Sequence, residues 1–145
     1  MGIYSRGSLI QTTGAGAACL EFNFNNTERA YLLKVRITLE TAPGAASVFG
    51  IGSATNPGQG STWLTSSPED AGGLADNFPN IATAWTGTPP TAPAQFYRRS
   101  TIDNVVGSEI EWLFPFGLVM PNTSSFVIWN ITAVGASEIT LTWDN

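Results

Sequence analysis

Two carboxylates, Glu109 and Glu111, stand two residues apart in the stretch GSEIEWLFPF. On a strand that spacing puts both on one face, with Cβ atoms roughly 6–7 Å apart. A retaining glycosidase holds its two carboxyl groups about 5–5.5 Å apart, so the pair has the right residue types for glycosidic cleavage. Alternation explains it more simply. Ile110 and Trp112 occupy the other side of the same stretch, and two acids on the wet side of a half-buried strand are what a period of two produces. We therefore read Glu109 and Glu111 as a solvated face.

Other catalytic systems lack their parts. The chain has no histidine, which removes Ser-His-Asp and Cys-His nucleophiles together with the commonest metal ligand. With one cysteine, Cys19, a zinc site would have to be built from carboxylates. Cys19 cannot belong to an intrachain disulfide framework, and its neighbours Ala18 and Leu20 suggest a buried thiol. GIGSATNPGQG (50–60) contains a G-x-G but neither the third glycine of a dinucleotide turn nor a following Lys-Ser or Lys-Thr, and it opens no helix. SPEDAGG does not alternate oxygen ligands as a calcium loop does. The expectation is a protein that is not an enzyme and needs neither cofactor nor metal.

Binding chemistry is better represented. Trp63 and Trp85 lie in a Gly- and Pro-rich stretch and are the two tryptophans with the setting of a sugar-stacking platform; packing that stretch onto the body of the protein is the competing use. PPTAP (89–93) lacks the basic anchor of a proline-rich ligand and reads as a rigid connector. Asn-x-Ser/Thr triplets at Asn25, Asn122 and Asn130 are read as turn and strand composition.

Composition narrows the partners. Six Lys or Arg against eleven Asp or Glu leave a net charge of −5, with the cations scattered apart from Arg98 and Arg99. A phosphate backbone requires a clustered positive footprint, so direct nucleic-acid binding is not expected. At 12% charged and 43% hydrophobic residues the chain is far from the composition of disorder. The first residues, MGIYSRG, show no signal-peptide pattern, Arg6 breaks the myristoylation motif, and no stretch has the ~18 apolar residues of a membrane helix. These features predict synthesis in the cytoplasm and no membrane partner.

The elements that must carry these residues are strands. In RAYLLKVRITLET, Tyr31, Leu33, Val35, Ile37 and Leu39 alternate with Leu32, Lys34, Arg36, Thr38 and Glu40. ASVFGIGSA (46–54) returns, with Gly50 and Gly52 leaving room for bulky groups opposite. SRGSLIQTTG and CLEFNF form an earlier pair. Later, GSEIEWLFPF puts Ile110, Trp112, Phe114 and Phe116 on one face, and Pro115 requires the strand to end or to lie at a sheet edge. SFVIWNITAV (125–134) and EITLTWDN follow, the latter with Ile139, Leu141 and Trp143 facing inward; the hydrophobic ending is thus a core strand tied down by pairing. Residues 55–94 are an insertion rich in Pro, Gly and Ser, in which only STWLTS and IATAWT look like strands and SPEDAGGLAD could open a helical turn at Pro68. The reading is a single all-β domain over 1–145: an antiparallel β-sandwich of jelly-roll type, with an N-terminal arm at 1–7 and the insertion at 55–94.

The stretch EIEWLFPFGLVMPNTSSFVIWNITAVGASEITLTWDN resembles the endings of small β-rich virion proteins of tailed bacteriophages, and RAYLLKVRITLETAPGAASVFGIG is similar to the first strand pair of that group. The shared pattern is a strand ending in Phe-Pro, a Gly-Leu, a Pro-Asn turn, an apolar-Trp-Asn step and a last strand ending in Trp-Asp. The resemblance implies a structural protein on the capsid exterior, most simply a decoration (cement) protein that binds the major capsid protein, as a homotrimer. A tail, neck or fibre module and a carbohydrate-binding sandwich are the alternatives. Partner contacts are expected from the arm, through Ile3, Tyr4 and Arg6, and from the insertion, through Trp63, Phe78 and Trp85. The arm has no evident strand to receive it, and the insertion has little regular pairing of its own.

Overall fold

The computed structural model describes residues 3–10, 15–23, 31–59, 61–64, 67–68, 80–119, 125–132 and 136–144. They form eleven strands: β1 (Ile3–Ile10), β2 (Ala17–Asn23), β3 (Tyr31–Leu39), β4 (Ser47–Ala54), β5 (Ser61–Leu64), β6 (Ser67–Pro68), β7 (Asn80–Trp85), β8 (Phe96–Ile102), β9 (Glu109–Val119), β10 (Ser125–Asn130) and β11 (Ser137–Asp144). One sheet has the order β6-β1-β11-β3-β9 and the other β5-β7-β2-β10-β4-β8. Setting aside the three short strands of the insertion, the sheets are β1-β11-β3-β9 and β2-β10-β4-β8. That is the order of a jelly roll.

The order has a simple origin in the chain. The first half pairs with the second half in reverse: β1 with β11, β2 with β10, β3 with β9 and β4 with β8, all antiparallel. The molecule is one long hairpin rolled up so that β11 also pairs with β3 and β10 with β4. The insertion is the tip of this hairpin. Lengthening a tip leaves every strand pair in register and adds only a slowly growing closure entropy, so the tip is the position best able to take forty residues.

Between the sheets lies one core. Val35, Ile37 and Leu39 of β3, Ile139, Leu141 and Trp143 of β11, and Ile110, Trp112 and Phe114 of β9 meet Leu20, Phe22, Phe49, Ile51, Phe126 and Ile128 from the other sheet. Trp143 has no exposed surface and lies between Tyr4, stacked at 6.1 Å, and Phe22, edge-on at 5.6 Å. Trp112 is also buried and donates from Nε1 to Ser100 Oγ at 2.9 Å. Cys19 is buried and is not in a disulfide.

Two local expectations are corrected. Ile3–Gly7 is not a free arm: β1 pairs with β11 over eight positions, from Ile3 opposite Asp144 to Ile10 opposite Ser137. The strand begins two residues earlier than the polar SRGS suggests, because the last strand offers its whole length and Tyr4 can stack on Trp143. Ser67 and Pro68, expected to begin a helical turn, are in a strand instead, and the rest of SPEDAGGLAD lies outside the described residues. The pair forms β6 and lies opposite Ser5 and Tyr4 on the outer edge of β1, a place where proline's missing N–H costs nothing.

The insertion belongs to the sandwich. β5 pairs with β7 and β7 with β2, extending one sheet, while β6 extends the other. Its two ends also bond to each other: Gln59 N donates to Thr88 O at 2.8 Å, Gly87 N to Gln59 O at 3.1 Å, Thr91 N to Asn56 O at 3.1 Å and Asn56 N to Thr91 Oγ1 at 3.1 Å. This strap covers the outer face of the β4 and β10 strands, where Ala54 and Val127 are buried. Gly50 and Gly52 make the close approach possible, since a Cβ at Gly50 would come within 2.5 Å of the Phe96 ring and one at Gly52 within 2.5 Å of Pro93.

Candidate protein-docking edge

β9 is the edge of its sheet, and its second half departs from regular pairing. Lys34 of β3 faces Leu113, yet Leu32 faces Leu118, so Leu33 alone stands against residues 114–117. Pro115 begins this wide bulge because it has no N–H to give the ladder. Gly117 closes it at φ 71°, in the left-handed region, with its backbone pressed so near Tyr31 that a Cβ would meet the Tyr31 Cβ at 2.5 Å.

The bulge decides which side chains reach solvent. Up to Phe114, which is 7% exposed, the alternation holds. Phe116 should share that inward face, but it is 97% exposed. The extra residues turn its side chain out of the pleat, and the sequence-based placement of Phe116 in the core is thereby corrected. Leu113 at 56%, Val119 at 42% and Tyr31 at 37% exposure accompany it, Tyr31 lying directly across from Val119. Four large apolar side chains are thus exposed along one edge of the sheet; Ile3 of β1 and Tyr97 of β8 are further large apolar strand residues that reach solvent.

Charges of both signs lie near this edge: Asp144 is opposite Tyr31, and Glu111 shares the face of Leu113. Arg98, exposed on β8, holds its guanidinium 5.4 Å from the centre of the Phe114 ring and donates from Nη1 to Tyr97 O at 2.9 Å. Lys34 has Leu113 across the ladder on one side and Thr142 on the other, whereas Arg36 has Glu111 and Thr140. Glu109 and Glu111 are exposed at the far end of β9, as a solvated strand face should be.

Of the residues expected to meet a partner, Ile3, Tyr4 and Arg6 lie on β1, Trp63 on β5 and Trp85 on β7. Ile3 is 49% exposed at the end of β1. Tyr4 is half-buried against the core, and Arg6, opposite Leu141, is half-buried with its Nε enclosed and without a hydrogen bond. Trp85 is half-buried and turned inward. Its Nε1 donates to Glu21 Oε2 at 2.8 Å, while Gly58 N donates to Glu21 Oε1 at 2.9 Å. Trp85 therefore fastens the strap to the sheet and does not present an open ring for a sugar. Trp63 lies in β5 but its side chain is outside the described residues, as is all of Phe78. Asn130 is buried, with Oδ1 accepting from Thr132 N at 3.1 Å, while Asn25 and Asn122 lie outside the described residues.

Sequence reasoning missed the Phe116 edge, although its signals were present: a proline inside an amphipathic strand, followed two residues later by a glycine. Among the described residues no group of three or more His, Cys, Asp or Glu is placed to hold a metal ion. Fold and edge together define a jelly-roll sandwich with an exposed apolar rim along β9. No protein-family model matches the chain, and neither the curated proteins nor the solved structures gave a significant match.

Proposed function

We propose that this chain is a structural virion protein of a tailed phage, a capsid decoration protein that binds the shell of major capsid protein from outside and stabilises it as a homotrimer. The observation that carries the reading is the apolar edge: Phe116, Leu113, Val119 and Tyr31 project from a rigid two-sheet body. Exposed apolar clusters of this kind mark surfaces that another protein covers. The resemblance of residues 109–145 to phage virion proteins supplies the setting, and jelly rolls recur among viral coat domains. Because folds host many functions, the strand order alone would not carry the step.

The proposed work is mechanical. A protein that binds the assembled shell but not its separated subunits shifts the equilibrium toward the shell by mass action, with no chemical step required. The strap, bonded to itself and fixed to Glu21, lets the molecule meet the shell as a preformed body, so little ordering entropy opposes binding. The test is to add purified protein to expanded shells of the phage that encodes it, prepared without it. Density repeating over the shell lattice in cryo-electron microscopy, with a higher shell disruption temperature, is the expected result. Density confined to the neck, tail or fibres would transfer the protein to those structures.

A further inference from the structure

We infer that β8 and the first half of β9 form the surface by which this chain meets a second copy of itself, β8 of one protomer adding as a strand to β9 of the next. The inference rests on the oligomer of the proposed function, for which it names a surface, and it does not require the shell. Where the sheets end is the first observation. On one side the insertion extends both: β6 pairs with the outer edge of β1, while β7 and β5 continue the other sheet beyond β2. On the opposite side β8 ends one sheet and β9 the other, and among the described residues no strand covers them. An uncovered edge offers a row of N–H and C=O groups to which another strand can add.

Both edges are also regular enough to pair. β8 runs Phe96–Ile102 without a proline, and β9 keeps simple register with β3 from Glu109 to Leu113, before Pro115. Trp112 Nε1 of β9 donates to Ser100 Oγ of β8 at 2.9 Å, so the two edges are tied together as one side of the sandwich.

Charge selects a second copy as the occupant. Gly50, between the core residues Phe49 and Ile51, lies on the outer face of its sheet, and the exposed Arg99 stands opposite it on that face. β8, β4 and β10 contain no Asp or Glu, so Arg99 has no acid across its own sheet. β9 is the reverse. It contains no Lys or Arg, and Glu109 and Glu111 are exposed on its outer face. Arg36 stands opposite Glu111, but Glu109 faces Thr38, whose other neighbour is Glu138, and the rim keeps an excess of negative charge. With outer faces aligned, β8 of one copy beside β9 of the next lays Arg99 against this acidic rim. Each copy offers both edges, so the contact repeats until the assembly closes. The half of β9 beyond Pro115, with Phe116, lies outside the pairing.

The experiment is sedimentation of the purified full-length protein over a range of concentration and salt, for the wild type, Arg99→Glu, Glu109→Arg and the double variant. Thermal melting checks each; the substituted side chains are exposed, so all four should melt alike. The wild type should self-associate, less so as salt rises, and each single reversal should weaken association at least about tenfold. The double variant puts opposite charges back across the contact and should recover most of that loss. Amides of β8 should exchange more slowly in the wild-type oligomer than in Arg99→Glu. Oligomers indifferent to both reversals overturn the β8–β9 contact without touching the homotrimer. A double variant as weak as the singles overturns the charge pairing, and equal exchange in β8 overturns strand addition. A mass of two copies supports the contact and overturns the trimer. A wild type that stays monomeric at high micromolar concentration overturns both, while binding to shells is read separately by the microscopy.

Discussion

Glu21 lies beneath the strap with no exposed surface, and both of its carboxylate oxygens accept hydrogen bonds, one from Gly58 N and one from the Trp85 indole. A buried acceptor of this kind is costly to leave unpaired, and so are its donors once it is removed. Glu21→Ala should therefore lower stability by about 1.5–3 kcal/mol in urea denaturation. It should also speed hydrogen exchange at the Gly58 amide; an unchanged exchange rate there would show that the strap is held by packing alone. Trp143 tests the core in the same way. It is fully buried between Tyr4 and Phe22, and Trp143→Ala should cost about 3–5 kcal/mol. A variant that melts like the wild type would contradict the register of β11. At this scale the sequence was legible where alternation ran unbroken, as for Ile110, Trp112, Ile139, Leu141 and Trp143. It misled at Phe116, because whether a proline ends a strand or opens a bulge depends on the strand opposite.

The first strand shows how an element is decided by its partner. Residues 3–10 contain few strong strand formers, yet they pair along the whole of β11 and also receive β6 on their outer edge. Removing residues 1–6 takes away the pairing of Ile3, Tyr4, Ser5 and Arg6 and uncovers Trp143 on the side where Tyr4 stacks. The melting temperature should fall by roughly 10 °C or more, given the apolar surface exposed and the steepness of melting for a domain of this size. A truncated protein with unaltered melting, measured by calorimetry, would return these residues to the status of an arm. The strap teaches the complementary point. Its prolines and glycines suggest a loop, but Gly50 and Gly52, inside β4, are the residues that let Phe96 and Pro93 lie against the sheet.

The whole molecule is a hairpin closed by its ends. β11 is the final strand of the chain and sits between β1 and β3 in the middle of its sheet, so the core is complete only when the last residues have joined the first. Pairings this distant in sequence must bear their loop-closure entropy before contacts repay it. Refolding followed by stopped-flow tryptophan fluorescence should accordingly take roughly milliseconds to seconds. Deleting residues 137–144 should abolish cooperative folding altogether, whereas shortening the insertion should leave the sandwich able to form. A microsecond refolding phase carrying the full amplitude would be inconsistent with this closure.

From sequence alone came the β class, the sandwich, the dry faces of β3 from Val35 to Leu39, of β9 up to Phe114 and of β11, the edge position imposed by Pro115 and the scarcity of catalytic side chains, since each depends on local periodicity or on residue type; at the start of β3 the bulge reverses the reading, so that Leu32 is buried and Tyr31 exposed. Tertiary structure decided the rest. Which strand Ile3 and Tyr4 would find, that Trp85 would turn toward Glu21, and that Phe116 would leave the core all depend on groups far away in the chain. Alternation records which side of a strand is dry, but it carries no information about the partner strand whose register bends, bulges or covers it.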